Sequence, residues 1–220
     1  MTPREGSVFG FAKRYERWAG VFAVLVVALF IINTLFRTSN GAAGIAPGHR
    51  APPFAVPLAL ASLNGDANVA THPNDGSLGR RPACAVRGVE LLNICELYEH
   101  APVVLAMFVD EGSCPGILDD LQRLAPDFPG VRFAGVAIKG SRGDLRAHLR
   151  SHHLTMPVGF DRDGILAGLF SMASCPQVSF IYPGGVVQSR ALLTRPRLST
   201  LSSRIGALVA DARARGWKPG

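Results

Sequence analysis

Lysine is nearly absent from this chain of 220 residues: Lys13, Lys139 and Lys218 are the only three, and arginine supplies the rest of the 23 basic groups. That bias is compositional and carries no functional weight. Cysteine is scarce as well, and four in a chain of this length are too few for a small scaffold stapled by disulfides. No internal repeat of about 20–50 residues appears, which excludes solenoids and propellers. No G-x-G-x-x-G or Walker pattern follows the first long apolar run, so a doubly wound nucleotide-binding sheet is set aside. Neither Ser171 nor any other serine stands in a G-x-S-x-G context, which argues against a hydrolase. Basic clusters are missing too. Residues 1–37 hold five basic groups against two acidic ones, and the remainder holds 18 against 14, with no basic run longer than Arg80-Arg81. A nucleic-acid partner is not expected. What is abundant is apolar residues, 48% of the chain, which rules out wholesale disorder.

From Trp18 to Phe36 the chain reads WAGVFAVLVVALFIINTLF, without a charge. A helix of that length rises roughly 28 Å, close to the hydrocarbon thickness of a bilayer. Arg4, Lys13, Arg14 and Arg17 precede it, whereas Arg37 stands alone in the dozen residues that follow. The positive-inside rule then predicts residues 1–17 as a cytoplasmic tail, 18–36 as a single transmembrane helix and everything after it outside the cytoplasm. The competing reading is a cleaved leader, but its apolar core would be shorter and followed at once by small-residue cleavage signals. Either way the globular part is exported, to a place where disulfides persist.

Residues 37–52, rich in small residues, Pro and Gly, read as a tether. Residues 53–100 form an N-terminal extension, with an edge strand in 53–62 and an irregular loop over 63–83. The core occupies 101–215. Pro102–Val109 is a continuous apolar run suited to a strand buried on both faces, and Val131–Ile138 is a second. Between them Ile117, Leu118, Leu121 and Leu124 recur at helical spacing, with Asp119, Asp120 and Arg123 placed on the opposite side. Ser141 and Asp144 make a capping box for a helix carrying Leu145 and Leu149. Residues 157–160 are a short extended piece, and Asp161 or Asp163 caps a short helix over 164–170. Residues 177–182 and 186–193 flank the Pro183-Gly-Gly turn as a hairpin, and a closing helix carries Leu198, Leu201, Ile205, Leu208 and Val209. The βαβ half demands parallel pairing and the hairpin antiparallel pairing. The expected fold class is therefore α/β, a mixed sheet flanked by helices on both faces.

The turn after the first strand brings Cys114 to the start of a helix, with Pro115 suited to an early helical position. Orphan N–H groups there favour a thiolate, while Asp110, Glu111, Asp119 and Asp120 oppose it. Cys175 precedes Pro176, which holds it extended. Four cysteines allow three pairings, and spacing does not choose among them. His148 and His152 stand at i, i+4 with His153 beside them; that spacing can hold zinc, but no third ligand stands at motif spacing, so the default is a solvated helix end.

Residues 46–212 resemble the thioredoxin-like redoxins: the TlpA-type thiol-disulfide oxidoreductases and the alkyl hydroperoxide reductase/thiol-specific antioxidant group. The matching pieces are Ala46-Pro-Gly-His-Arg-Ala-Pro-Pro-Phe, the strand ending in Phe108-Val109, Cys114-Pro115, Gly135-Val-Ala-Ile, Phe160-Asp-Arg-Asp-Gly164, Ser174-Cys-Pro-Gln-Val-Ser-Phe and Pro183-Gly-Gly-Val. The resemblance implies a thioredoxin-like sheet, a cis Pro176 lying against the active-site cysteine, and a redox role for Cys114. Two departures stand out. Redox-active relatives carry Trp-Cys-x-x-Cys, where this chain has Ser113 and Ile117; the peroxidases require Thr or Ser and Pro where this chain has Glu111 and Met107. With Ile117 unable to resolve a mixed disulfide, Cys175 is the candidate partner of Cys114 and Pro176 the groove residue. Cys84 and Cys95, which enclose ten residues, are then the more economical structural staple, with a shuttle to the site as the alternative. The implied function is a membrane-anchored, extracytoplasmic thiol-disulfide oxidoreductase. Its partners are exported protein thiols or disulfides and a thiol reductant in or outside the membrane, and it needs no cofactor. A redoxin-type peroxidase and a degenerate protein-binding module are the rivals.

Overall fold

The computed structural model describes residues 21–29, 44–75 and 80–219. The chain divides into two units, Met1–Ala42 and Ala43–Gly220. In the first, residues 21–29 are helical. They lie inside the predicted span 18–36, whose other residues fall outside the described ones. Among the described residues no helix is long and apolar enough to cross a membrane.

The second unit is built on a five-stranded sheet. Its strands are β3 (Val103–Phe108), β4 (Arg132–Ile138), β5 (Val158–Asp161), β6 (Gln177–Ile181) and β7 (Val187–Leu192), in the order β5-β4-β3-β6-β7. β3, β4 and β5 run parallel; β6 is antiparallel to β3 and β7 to β6. The sheet is mixed, as the sequence predicts. β3 lies at its centre, and all six of its residues are buried.

Successive β3 side chains divide between two cores, as the two-residue period of a strand requires. Val104, Ala106 and Phe108 join Ile117, Leu118 and Leu121 of α2 (Gly116–Leu124), Leu145 and Leu149 of α3 (Arg142–Ser151), and Leu201, Ile205 and Leu208 of α5 (Leu198–Ala214). Val103, Leu105 and Met107 join Ile94 and Tyr98 of α1 (Ile94–Tyr98), and Leu166 of α4 (Ile165–Leu169) with Phe170 just beyond it. Helices therefore cover both faces. Ser141 caps α3 by accepting the Asp144 N–H at 3.2 Å. Asp161 caps α4, accepting N–H groups of Gly164 and Leu166 at 3.1 and 2.9 Å. Complete burial raises the Asp161 carboxyl above its ordinary pKa, against the pull of those hydrogen bonds.

The edge strand expected in 53–62 is present, whereas its partner strand and the helix that follows were not visible in the pattern. β1 (Ala55–Pro57) pairs with β2 (Leu91–Asn93) as a separate two-stranded sheet, and α1 follows β2 directly, capped by the Asn93 side chain. This small sheet presses on β5 at Gly159, where a Cβ would run into Val56 and Leu92. The segment after β1 is held by α3: the Arg142 guanidinium donates to the carbonyls of Leu58, Ala59, Ala61 and Leu63. Residues 44–52, assigned from composition to the tether, are bonded to the domain. The Gly48 N–H donates to the Val187 carbonyl at 2.9 Å and the Ala51 N–H to the Gly185 carbonyl at 2.8 Å. Pro and Gly leave such a segment extended, and an extended segment can complete a sheet edge as readily as cross solvent.

Candidate active site

The site forms where β3 and β6 end side by side. The antiparallel register sets Met107 opposite Gln177; two residues further along β3 and two back from β6, Val109 meets Cys175. The Val109 N–H donates to Cys175 Sγ at 3.2 Å. Cys114 sits in the turn that leads into α2. Its carbonyl accepts the Ile117 N–H at 3.3 Å, so the chain there is already coiling toward the helix. Cys114 and Cys175 are joined as a disulfide with Cα atoms 5.6 Å apart, within the normal range for such a bond. Both are half-buried against the α2 side of the sheet, while Pro176 is buried and follows a cis peptide bond.

Ile117, at the position where a second active-site cysteine would stand, is fully buried in the core with Leu118 and Leu121. It is a packing residue. The neighbouring acid differs from its sequence reading. Asp120, placed with the polar face of α2, is only 7% exposed and grips Arg195 through two bonds of 2.7 and 3.0 Å. Its spacing from Ile117 and Leu124 puts it on the buried stripe, and a buried carboxylate needs a partner. Asp120 in turn raises the Arg195 pKa further above its ordinary value. Arg195 lies across the first turn of α2, where a Cβ on Gly116 would collide with its guanidinium. The cation that lies over the helix start is therefore already committed to Asp120.

A cleft of about 390 Å³ opens beside this turn, lined among others by Asp110, Glu111, Ser113, Pro115 and Arg195. At its far side His148 and His152 meet Asp119, the third group that sequence spacing did not reveal because it comes from a different helix. His153, next in the chain, does not join them; its carbonyl accepts a bond from Gln122 Nε2 at 3.0 Å. Ser171 terminates the turn after α4 and accepts the Gly44 N–H through its carbonyl at 2.9 Å.

Cys84 and Cys95 form a second disulfide, with Cα atoms 5.3 Å apart, joining the 3₁₀ turn Ala83–Ala85 to α1. They pack with the core on the other face of the sheet from Cys114 and Cys175. The sheet separates the two disulfides.

No protein-family profile and no curated sequence matches the chain. Solved structures do. A Chlorobium tepidum protein described as a thiol:disulfide interchange protein DsbE superposes with a TM-score of 0.57 at 17% identity, covering 75% of this chain and 99% of that one. A Bacteroides thetaiotaomicron protein described as a protein disulfide isomerase gives 0.56 at 14% identity, over 80% and 99%. The C-terminal domain of a thiol-disulfide oxidoreductase from the same organism gives 0.53 at 14% identity, over 76% and 97%. Identities this low speak for architecture alone. The chain has the thioredoxin-like α/β fold, a mixed sheet with helices on both faces, that these thiol-disulfide oxidoreductase-like structures share.

Proposed function

We propose that this chain is a membrane-anchored, extracytoplasmic thiol-disulfide oxidoreductase whose redox pair is Cys114 and Cys175. The observation that carries the reading is the half-buried Cys114–Cys175 disulfide with the Val109 N–H directed at Cys175 Sγ. In the reduced protein the Cys114 thiolate attacks one sulfur of a substrate disulfide. That S–S bond breaks, its electron pair leaves on the other substrate sulfur, and a mixed disulfide forms at Cys114. The Cys175 thiolate, held by the Val109 N–H, then attacks Cys114 Sγ, releases the substrate as its second thiol and restores the internal disulfide. Two electrons have passed from the protein to the substrate, and an external dithiol returns them by the reverse exchange. Pro176, buried just before β6, is the groove residue in this reading.

A disulfide-reduction assay with insulin as substrate and dithiothreitol as reductant tests this. The full chain is expected to accelerate the reaction, and Cys114→Ser to return it to the uncatalysed rate. Cys114-dependent consumption of hydrogen peroxide without disulfide reduction would overturn the reading in favour of a peroxidase.

The location rests on the uncharged stretch 18–36 with its basic N-terminal flank, and on the exposure of Phe22 and Val24, 68% and 70%, in a helical stretch. Protease added to intact cells is expected to digest the domain. Digestion only after lysis would overturn the orientation.

A further inference from the structure

We propose that Asp119, His148 and His152 bind a single divalent transition-metal ion in the cleft they share with Ser113 and Pro115. His148 and His152 lie one turn apart on α3 and therefore share a face. Their rings stack with centroids 4.2 Å apart. Asp119 reaches them from α2, and its Oδ1 stands 2.9 Å from His152 Nδ1. One ligand atom from each residue falls within 4.8 Å of the others. A tetrahedral ion with bonds of about 2.0–2.2 Å needs its ligand atoms roughly 3.3–3.6 Å apart. Small rotations about the side-chain torsions of two partly exposed histidines close that difference.

A second observation points the same way. His148 Nε2 is buried and has no hydrogen-bond partner among the described residues. Buried polar nitrogens are rarely left so, because the lost hydration goes uncompensated. The donor set is also selective in kind. Two imidazoles and one carboxylate suit zinc, copper or nickel better than calcium or magnesium, which prefer all-oxygen shells. Asp110 and Glu111 line the same cleft and add negative charge, while Arg195 on its wall is paired with Asp120. Three protein ligands leave at least one coordination position open, the arrangement of sites that hold a water or a substrate group.

This proposal is independent of the redox reading. It is tested on the oxidised full chain, free of any histidine tag, where both disulfides are closed and no thiolate can ligate. Cobalt(II) titration should give a visible ligand-field spectrum saturating at one ion per chain, reversed by zinc. His148→Gln and His152→Gln should each weaken binding at least about tenfold, as should Asp119→Asn, with far-UV circular dichroism unchanged. His72→Gln, at the exposed His72–Asp75 pair, should leave the titration as it was. No saturable cobalt binding, or binding unaffected by the three variants, or binding lost instead with His72→Gln, overturns it.

Discussion

Replacing Cys175 with serine is expected to turn a turnover catalyst into a trap. The first half of the exchange needs only the Cys114 thiolate, which the substitution leaves in place at the start of α2. The second half needs a thiolate beside Cys114 Sγ, and a serine hydroxyl, far less acidic than a thiol, cannot supply it. Ile117 cannot substitute, being apolar and fully buried. The Cys84–Cys95 pair is closed and lies on the other face of the sheet. Mixed disulfides should therefore accumulate through Cys114 in acid-quenched samples from cells making the full chain with Cys175→Ser, and mass spectrometry should locate them there. The double variant Cys114→Ser, Cys175→Ser should carry none. Adducts forming through Cys175 in Cys114→Ser, with none in Cys175→Ser, would exchange the roles of the two cysteines. Absence of adducts in both single variants would leave the groove of a non-catalytic binding domain.

The other large effect concerns the fold. Gly159→Val is expected to destabilise the domain by about 3 kcal/mol or more, since overpacking a tight site forces the backbone apart. Gly159 is the point at which the small β1–β2 sheet leans on β5. A Cβ there meets Val56 and Leu92, and both neighbours are at most 2% exposed. Relief requires lifting β1–β2 away, which uncovers Phe54 and Ile94 and breaks the bond from the Ala59 N–H to the Val158 carbonyl. Gly168→Ala on α4, where a Cβ meets nothing within 4 Å, serves as the control and should change little. Urea denaturation of the two variants measures the difference. Equal midpoints would show that β1–β2 is only loosely applied to the sheet.

The central strands and helices were legible because their signal is local: Val103–Phe108 is apolar without interruption, and α2 and α5 repeat leucine and isoleucine every three or four residues. β1 falls in the edge strand expected over 53–62, whereas its partner β2, three residues long, is too short to show a period. Composition alone could not say that residues 44–52 lie along the sheet edge rather than in solvent. At the site, the placement of Cys175 beside Cys114 came from resemblance, since it depends on a long-range register between β3 and β6 that no local pattern carries. Asp120 was misread because its charge outweighed its position in the helical period. Asp119 escaped for a related reason: it approaches His148 and His152 from another helix, and ligand spacing within one segment cannot register that.

The distance in sequence between Cys114 and Cys175 has a consequence for how electrons and folding speak to each other. A Cys-x-x-Cys pair closes a ring of about four residues and constrains the denatured chain very little. Here the cysteines stand 61 positions apart, and the ring between them takes in α2, β4, α3, β5 and α4. Closing a ring of that size removes denatured-state freedom worth about 4 kcal/mol in the chain-entropy account. Thermodynamic reciprocity follows: whatever oxidation adds to the stability of the fold, the fold adds to the stability of the bond. If Cys114 and Cys175 exchange electrons as proposed, each reduction by a dithiol would also loosen the domain and each reoxidation by substrate would tighten it, making the redox cycle at the same time a cycle of rigidity.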